Sequence, residues 1–117
     1  MTKKKVTAKV LSQKKIGPDI YDLWMSTELA ETARPGQFVC VYPKDKSALL
    51  GRPISICEVI PTESMMRLVY RKVGKGTSEF ATLNTGDNVE LLGNLGNGFP
   101  ADLAKGKKVF LIGGGVG

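Results

Sequence analysis

A chain of 117 residues, 42% hydrophobic and 24% charged, carries enough apolar material for one ordinary domain. It has no histidine, and its two cysteines, Cys40 and Cys57, fit no zinc or iron–sulfur spacing, so a histidine-containing hydrolytic triad and a histidine-ligated metal are excluded within it. The net charge of +6, much of it in Lys3, Lys4, Lys5, Lys105, Lys107 and Lys108, fits solubility or a small anionic ligand better than nucleic acid, because the lysines alternate with apolar positions and not with stacking aromatics. The apolar runs are strand-length, short of the roughly 20 residues of a membrane helix. The lysine-rich start, MTKKKVTAKV, has no apolar stretch behind it and does not read as a signal peptide. A cytoplasmic protein with two buried free thiols, no nucleic-acid partner and no membrane association is the expectation.

In chain order, KKVTAKVLSQKKI alternates, with Val6, Ala8 and Val10 on one face and Thr7 and the lysines on the other, and predicts a strand. GPD at 17–19 is a turn. IYDLWMST predicts a second strand with Tyr21, Leu23 and Met25 inward. After the turn RPGQ at 34–37, FVCVYP predicts a third, RPISICEVI a fourth and MMRLVYRKV a fifth. The pattern then changes. Phe80, Ala81 and Leu83 form the narrow apolar face of a short helix over about 77–84, opened at Gly76 and stopped by Asn84 and Gly86. DNVELLG predicts a sixth strand, NLGNGFP a glycine-rich loop, and VFLI at 109–112 a last strand of the kind that begins a parallel α/β unit. The fold class is all-β, a six-stranded antiparallel Greek-key barrel with one short helix.

Two stretches carry candidate chemistry. In GRPISI, Arg52 and Pro53 open an apolar strand. Such an arginine is either an exposed strand end or a cation held toward an anionic ligand, with Ser55 as a hydroxyl donor. In VYRKVGKGTSEF, a strand ends in Arg71 and a Gly-Lys-Gly-Thr turn opens the helix. Gly76 would let a phosphate approach the backbone, and Thr77 would add a hydroxyl. The glycine spacing is not that of a Walker loop, and most such turns are only turns. The pair is more telling than either part, since two cations and a helix start converging at one barrel end suit a pyrophosphate.

The succession RPG-QF, RPIS, VYR..GKGT with its short helix, LGNLGNGF, and then strand–GGG resembles the flavin domain of the ferredoxin reductase superfamily, from about residue 5 to 117. RPISICE and GNLGNGF are most similar to the electron-transfer subunits of type B dihydroorotate dehydrogenases. The resemblance implies FAD as cofactor. It places the superfamily's Arg-x-Tyr-Ser motif on Arg52, Pro53, Ile54 and Ser55, with Arg52 on the pyrophosphate and Ser55 on the flavin ring. Ile54 stands where many members carry a stacking tyrosine. Val69, Tyr70 and Arg71 would lie along the flavin and ribityl chain, and Gly76 and Thr77 would donate to the pyrophosphate.

The resemblance further implies that residues 1–100 are an FAD-binding barrel. Residues 101–117 would be a linker with the first strand and glycine turn of an NAD domain otherwise missing. In the longer family, electrons pass between NAD and FAD and through a [2Fe–2S] cluster to a catalytic dihydroorotate dehydrogenase subunit, in a heterotetramer serving pyrimidine biosynthesis. The chain is then expected to be nearly inactive with NADH on its own and to self-associate through 109–112. Two alternatives stand beside this reading: the flavin subunit of another NAD(P)H:ferredoxin or sulfide oxidoreductase, and, from a different class, a basic RNA-binding β-barrel.

Overall fold

Six strands form: β1 (Lys5–Gly17), β2 (Ile20–Ser26), β3 (Phe38–Tyr42), β4 (Arg52–Ile60), β5 (Met65–Arg71) and β6 (Asn88–Leu95). They close in the order β1-β2-β5-β4-β3-β6, every neighbour antiparallel. The structure, a computed structural model, describes residues 5–44 and 51–114, without the surroundings of Lys75 and Gly76. Neither β2 and β3 nor β5 and β6 are neighbours, so the chain crosses an end of the barrel twice. The first crossing carries a 3-10 turn at Glu28–Glu31, whose start Thr27 caps by accepting the Leu29 amide. The second carries the helix α1 (Gly74–Phe80).

Period-2 alternation fills the interior. Ala8 and Val10, Leu23 and Met25, Val39 and Val41, Met66 and Leu68, and Leu91 are all buried, one set from each of five strands, and Ile54 joins them from β4. The inward set expected for β2 is the observed one, although Tyr21 is only partly covered. A register shift between Val10 and Ser12 makes Leu11 an extra residue in β1. Beyond it the inward parity changes, and Gln13, paired with the inward Leu23, turns into the barrel.

Three expectations need correction. The helix lies at Gly74–Phe80 and not at about 77–84. It starts early because Gly74 takes a φ of 73°, open to glycine, and the hydroxyl of Thr77 bonds back to Val73. It ends early because Thr82 and Leu83 close tighter turns onto Glu79 and Phe80. Residues 109–112 lie outside any strand and are exposed. A closed barrel has no free edge for a seventh strand to join. A single helical turn, α2 (Ala101–Ala104), precedes them. Finally, both cysteines are free, as expected, but neither is fully buried: Cys40 is half-buried, and Cys57 is exposed, being the extra residue of the bulge between Ile56 and Glu58. Among the described residues no helix is long and apolar enough to cross a membrane.

Candidate functional site

The barrel opens on one side. β4 and β5 pair from Ile60–Met65 up to Ile56–Leu68, and there the ladder stops. Beyond that point residues 52–55 continue along β3, while residues 69–71 continue along β2. Past the first unpaired position, Ser55 beside Val69, Pro53 bars the ladder from resuming. The Ile56 amide donates to Gln37 on the β3 side, so alternation turns position 53 toward β5, where proline has no N–H to extend the ladder. On the other bank the Lys72 amide donates to Asp19 on the β2 side, so the amides of Val69 and Arg71 face the gap.

The gap is a groove of about 720 Å³, within the roughly 300–1,000 Å³ of small-molecule sites. Arg52, Pro53, Ile54 and Ser55 line one bank, Val69, Tyr70 and Arg71 the other, and Val73, Gly74 and Thr77 the rim. Eight of the nine residues singled out from the sequence therefore meet in one place. The ninth, Gly76, lies in the backbone of α1, and its surroundings fall outside the described residues. Sequence reasoning missed Ile56, Cys57, Val73 and Gly74, which also line the groove. The bulge that aims Cys57 leaves no mark in an alternation pattern.

Their side chains divide by parity. Pro53, Ser55, Cys57 and Arg71 are exposed, and Arg52 and Val69 half-buried. Ile54 and Tyr70 turn inward, 7% and 3% exposed, and give the groove only wall. The Tyr70 ring stacks on Tyr21 (centroids 5.7 Å apart) and meets Phe80 of α1 edge-on. Its hydroxyl donates to Gln13 Oε1 at 2.6 Å. Burial, with the nearby Tyr21, raises the Tyr70 phenol well above its ordinary value, so it stays a neutral donor. The Thr77 hydroxyl is engaged with both the amide and the carbonyl of Val73 and closes the start of α1.

Charge separates the arginines. Arg67, also on β5, grips Asp22 with Nε–Oδ1 at 2.8 Å and Nη2–Oδ2 at 3.0 Å, reaches Glu58, and lies over Trp24. The Asp22 hydrogen bonds hold it protonated even more firmly than an ordinary guanidinium. Arg52 and Arg71 form no ion pair with any described residue, so the groove has two cations at its banks to offer an anion. The motifs RPGQ and LGNGF stand elsewhere and hold each other. Phe99 donates to the Pro35 carbonyl at 2.7 Å and Gln37 Nε2 to the Gly96 carbonyl at 3.0 Å. At Gly36, with φ of 89°, a Cβ would lie 2.8 Å from the Phe99 nitrogen, so this junction requires glycine.

No family model matches the chain. Along its entire length it is 41% identical to the electron transfer subunit of dihydroorotate dehydrogenase B (NAD(+)) of Enterococcus faecalis, covering 45% of that protein. Over 95% of its length it is 41% identical to the subunit of that name from Streptococcus pneumoniae, covering 44% of it. The chain thus spans less than half the length of these relatives. Among solved structures, an NADH-dependent reduced ferredoxin-NADP oxidoreductase superposes on 79% of the chain with a TM-score of 0.72 at 31% identity, covering 33% of that protein. A ferredoxin reductase of carbazole 1,9a-dioxygenase superposes on 80%, TM-score 0.71, covering 30% of its chain, and at 18% identity speaks for the fold alone. Along its whole length the chain is therefore similar to the electron transfer subunits of NAD-dependent dihydroorotate dehydrogenase B, over less than half of theirs, and its barrel has the fold found in the ferredoxin reductases.

Proposed function

We propose that the barrel, residues 1–100, binds FAD in the groove between β4 and β5 and serves electron transfer between NAD and a separate dihydroorotate-oxidising subunit. The observation that carries this reading is the parting of β4 and β5 beyond Ile56 and Leu68. It leaves apolar wall, main-chain donors and two arginines without an ion pair among the described residues around one cavity. That donor set fits the group: Pro53, Val69 and Val73 offer apolar surface to a planar ring. The Ser55 hydroxyl and the amides of Val69 and Arg71 offer hydrogen bonds to its polar edge, and Arg52 and Arg71 offer charge to a diphosphate.

When bound, FAD supplies the exchange between two-electron and one-electron chemistry, and no side chain of this barrel has to act as acid or base. The residues of the chain bind and orient. Arg52 and Arg71 hold the phosphates at the banks, Ser55 fixes the ring edge, and Ile54 and Tyr70 stiffen the wall from inside. Thr77 acts on the groove through Val73, by fixing the start of α1. The NAD site and the [2Fe–2S] cluster belong in this reading to the part of the longer relatives that the chain does not span, and the catalytic partner is a second subunit.

A titration of the 117-residue chain with FAD, followed by quenching of flavin fluorescence, tests the proposal. Saturable quenching that riboflavin reproduces only weakly is expected, because riboflavin lacks the diphosphate. Unquenched flavin at excess protein would overturn it. A second reading, the flavin subunit of an NAD(P)H:ferredoxin oxidoreductase, is favoured by the structural likeness at 31% identity. Reduction by dihydroorotate with or without the partner subunit separates the two.

A further inference from the structure

Gln13 lies outside the groove, yet it touches both of the elements that bound it. Its Nε2 donates to the carbonyls of Phe80, at 2.9 Å, and Leu83, at 3.1 Å, at the far end of α1 and just beyond it. Its Oε1 accepts the Tyr70 hydroxyl at 2.6 Å. Tyr70 stands on β5 between Val69 and Arg71, which form one bank. The other end of α1, a helix of seven residues, forms the rim at Gly74 and Thr77. Among the described residues, the edge-on pair of Tyr70 and Phe80 and the short chain between them also tie bank to rim.

We propose that Gln13 is a positioning residue of this groove, its one amide fixing the end of α1 against the β5 bank and so setting the width of the site at its rim. This rests on the reading of the groove as the FAD site. Position matters because a helix of seven residues is about 10 Å long and rigid, so releasing its far end lets its start move. A half-satisfied network at this place would also take the Gln13 donor from the Leu83 carbonyl and leave the Phe80 carbonyl to the Leu83 amide, favouring a shifted helix. Burial keeps the Tyr70 phenol protonated, so the network persists across the working pH range.

The test compares FAD affinity and stability in the 117-residue chain for Gln13→Met, Tyr70→Phe and Asn94→Ala. Asn94 is the matched control. Its buried amide donates to the Leu29 carbonyl at 3.0 Å and to Thr32 at 3.1 Å, neither of which lines the groove. Gln13→Met is expected to weaken FAD binding about tenfold and to shift the visible absorption of the bound flavin. Asn94→Ala is expected to lower Tm with FAD affinity unchanged. Adding Tyr70→Phe to Gln13→Met should cost no further affinity, since the hydroxyl's bond to Gln13 is already gone. Should Gln13→Met fail to melt cooperatively, Tyr70→Phe alone, which keeps the helix carbonyls bonded, carries the test with a loss of a few-fold. Wild-type affinity and spectrum in a folded Gln13→Met, or equal loss in Asn94→Ala, overturns the role of Gln13. Absence of FAD binding by the wild-type chain would instead strike the function proposed above.

Discussion

Replacing Arg52 by glutamine separates a cation that serves a ligand from one that serves the fold. Arg52 and Arg71 both border the groove without an ion pair among the described residues, whereas Arg67 on the same strand as Arg71 is committed to Asp22 and Glu58. A charge-assisted hydrogen bond to a phosphate contributes roughly 1.5–3 kcal/mol. Arg52 is half-buried, so water screens it and the lower end applies. At about 1.4 kcal/mol per decade, Arg52→Gln is expected to weaken FAD about tenfold. Arg71 is exposed, and exposed pairs are worth at most about 1 kcal/mol, so Arg71→Gln should cost no more than about fivefold. Arg67→Gln should leave affinity unchanged while lowering Tm, because it strands Asp22, whose side chain is 15% exposed.

Flavin fluorescence titrations beside thermal melts measure both quantities on each variant. Added salt should narrow the gap between wild type and Arg52→Gln, since the lost interaction is ionic and partly screened. Affinity that falls most in Arg67→Gln, or that falls in Arg52→Gln only in proportion to Tm, would refute the assignment of phosphates to the banks of the groove.

Other outcomes follow from single contacts. Tyr70→Phe removes the bond to Gln13 and should cost about 1 kcal/mol of stability, lowering Tm by roughly 4–8 °C. The same phenol predicts a pH dependence: its folded value lies above the ordinary one near 10. The folded state therefore holds a proton that the unfolded state gives up. That contribution is whole below about pH 10 and is lost as pH rises toward the folded value, so urea midpoints between pH 8 and 11 should fall less in Tyr70→Phe than in wild type. Gly36→Ala, with a Cβ 2.8 Å from the Phe99 nitrogen and a φ of 89°, should destabilise by more than about 1 kcal/mol, read as a lowered Tm. Cys57 is exposed in the groove and Cys40 half-buried outside it. Iodoacetamide should modify Cys57 first, and FAD should slow that reaction, as peptide mass mapping would record.

How far the molecule could be read in advance depended on where alternation is regular. β2 alternates without interruption, and its inward Leu23 and Met25 follow from the pattern. In β1 and β4 a bulge inserts one residue, and the faces beyond it exchange. Gln13, polar among lysines, reads as an outward residue until Leu11 is known to be extra. Cys57, apolar among isoleucines, reads as core until it is known to be the bulge. A bulge is set by the partner strand as much as by its own residues, so one strand's sequence does not announce it. The groove was legible for the opposite reason. Pro53 cannot donate wherever the chain places it, and next to Arg52 and Ser55 it marks a strand start, edge or bulge beside a charge. Tyr70 and Ile54 entered the site only through the family resemblance, which gives membership, whereas direction follows from parity. The residues that make this groove rigid are thus the ones hidden behind a bulge or turned inward, and those that would meet a ligand are the ones whose chemistry is visible in any conformation.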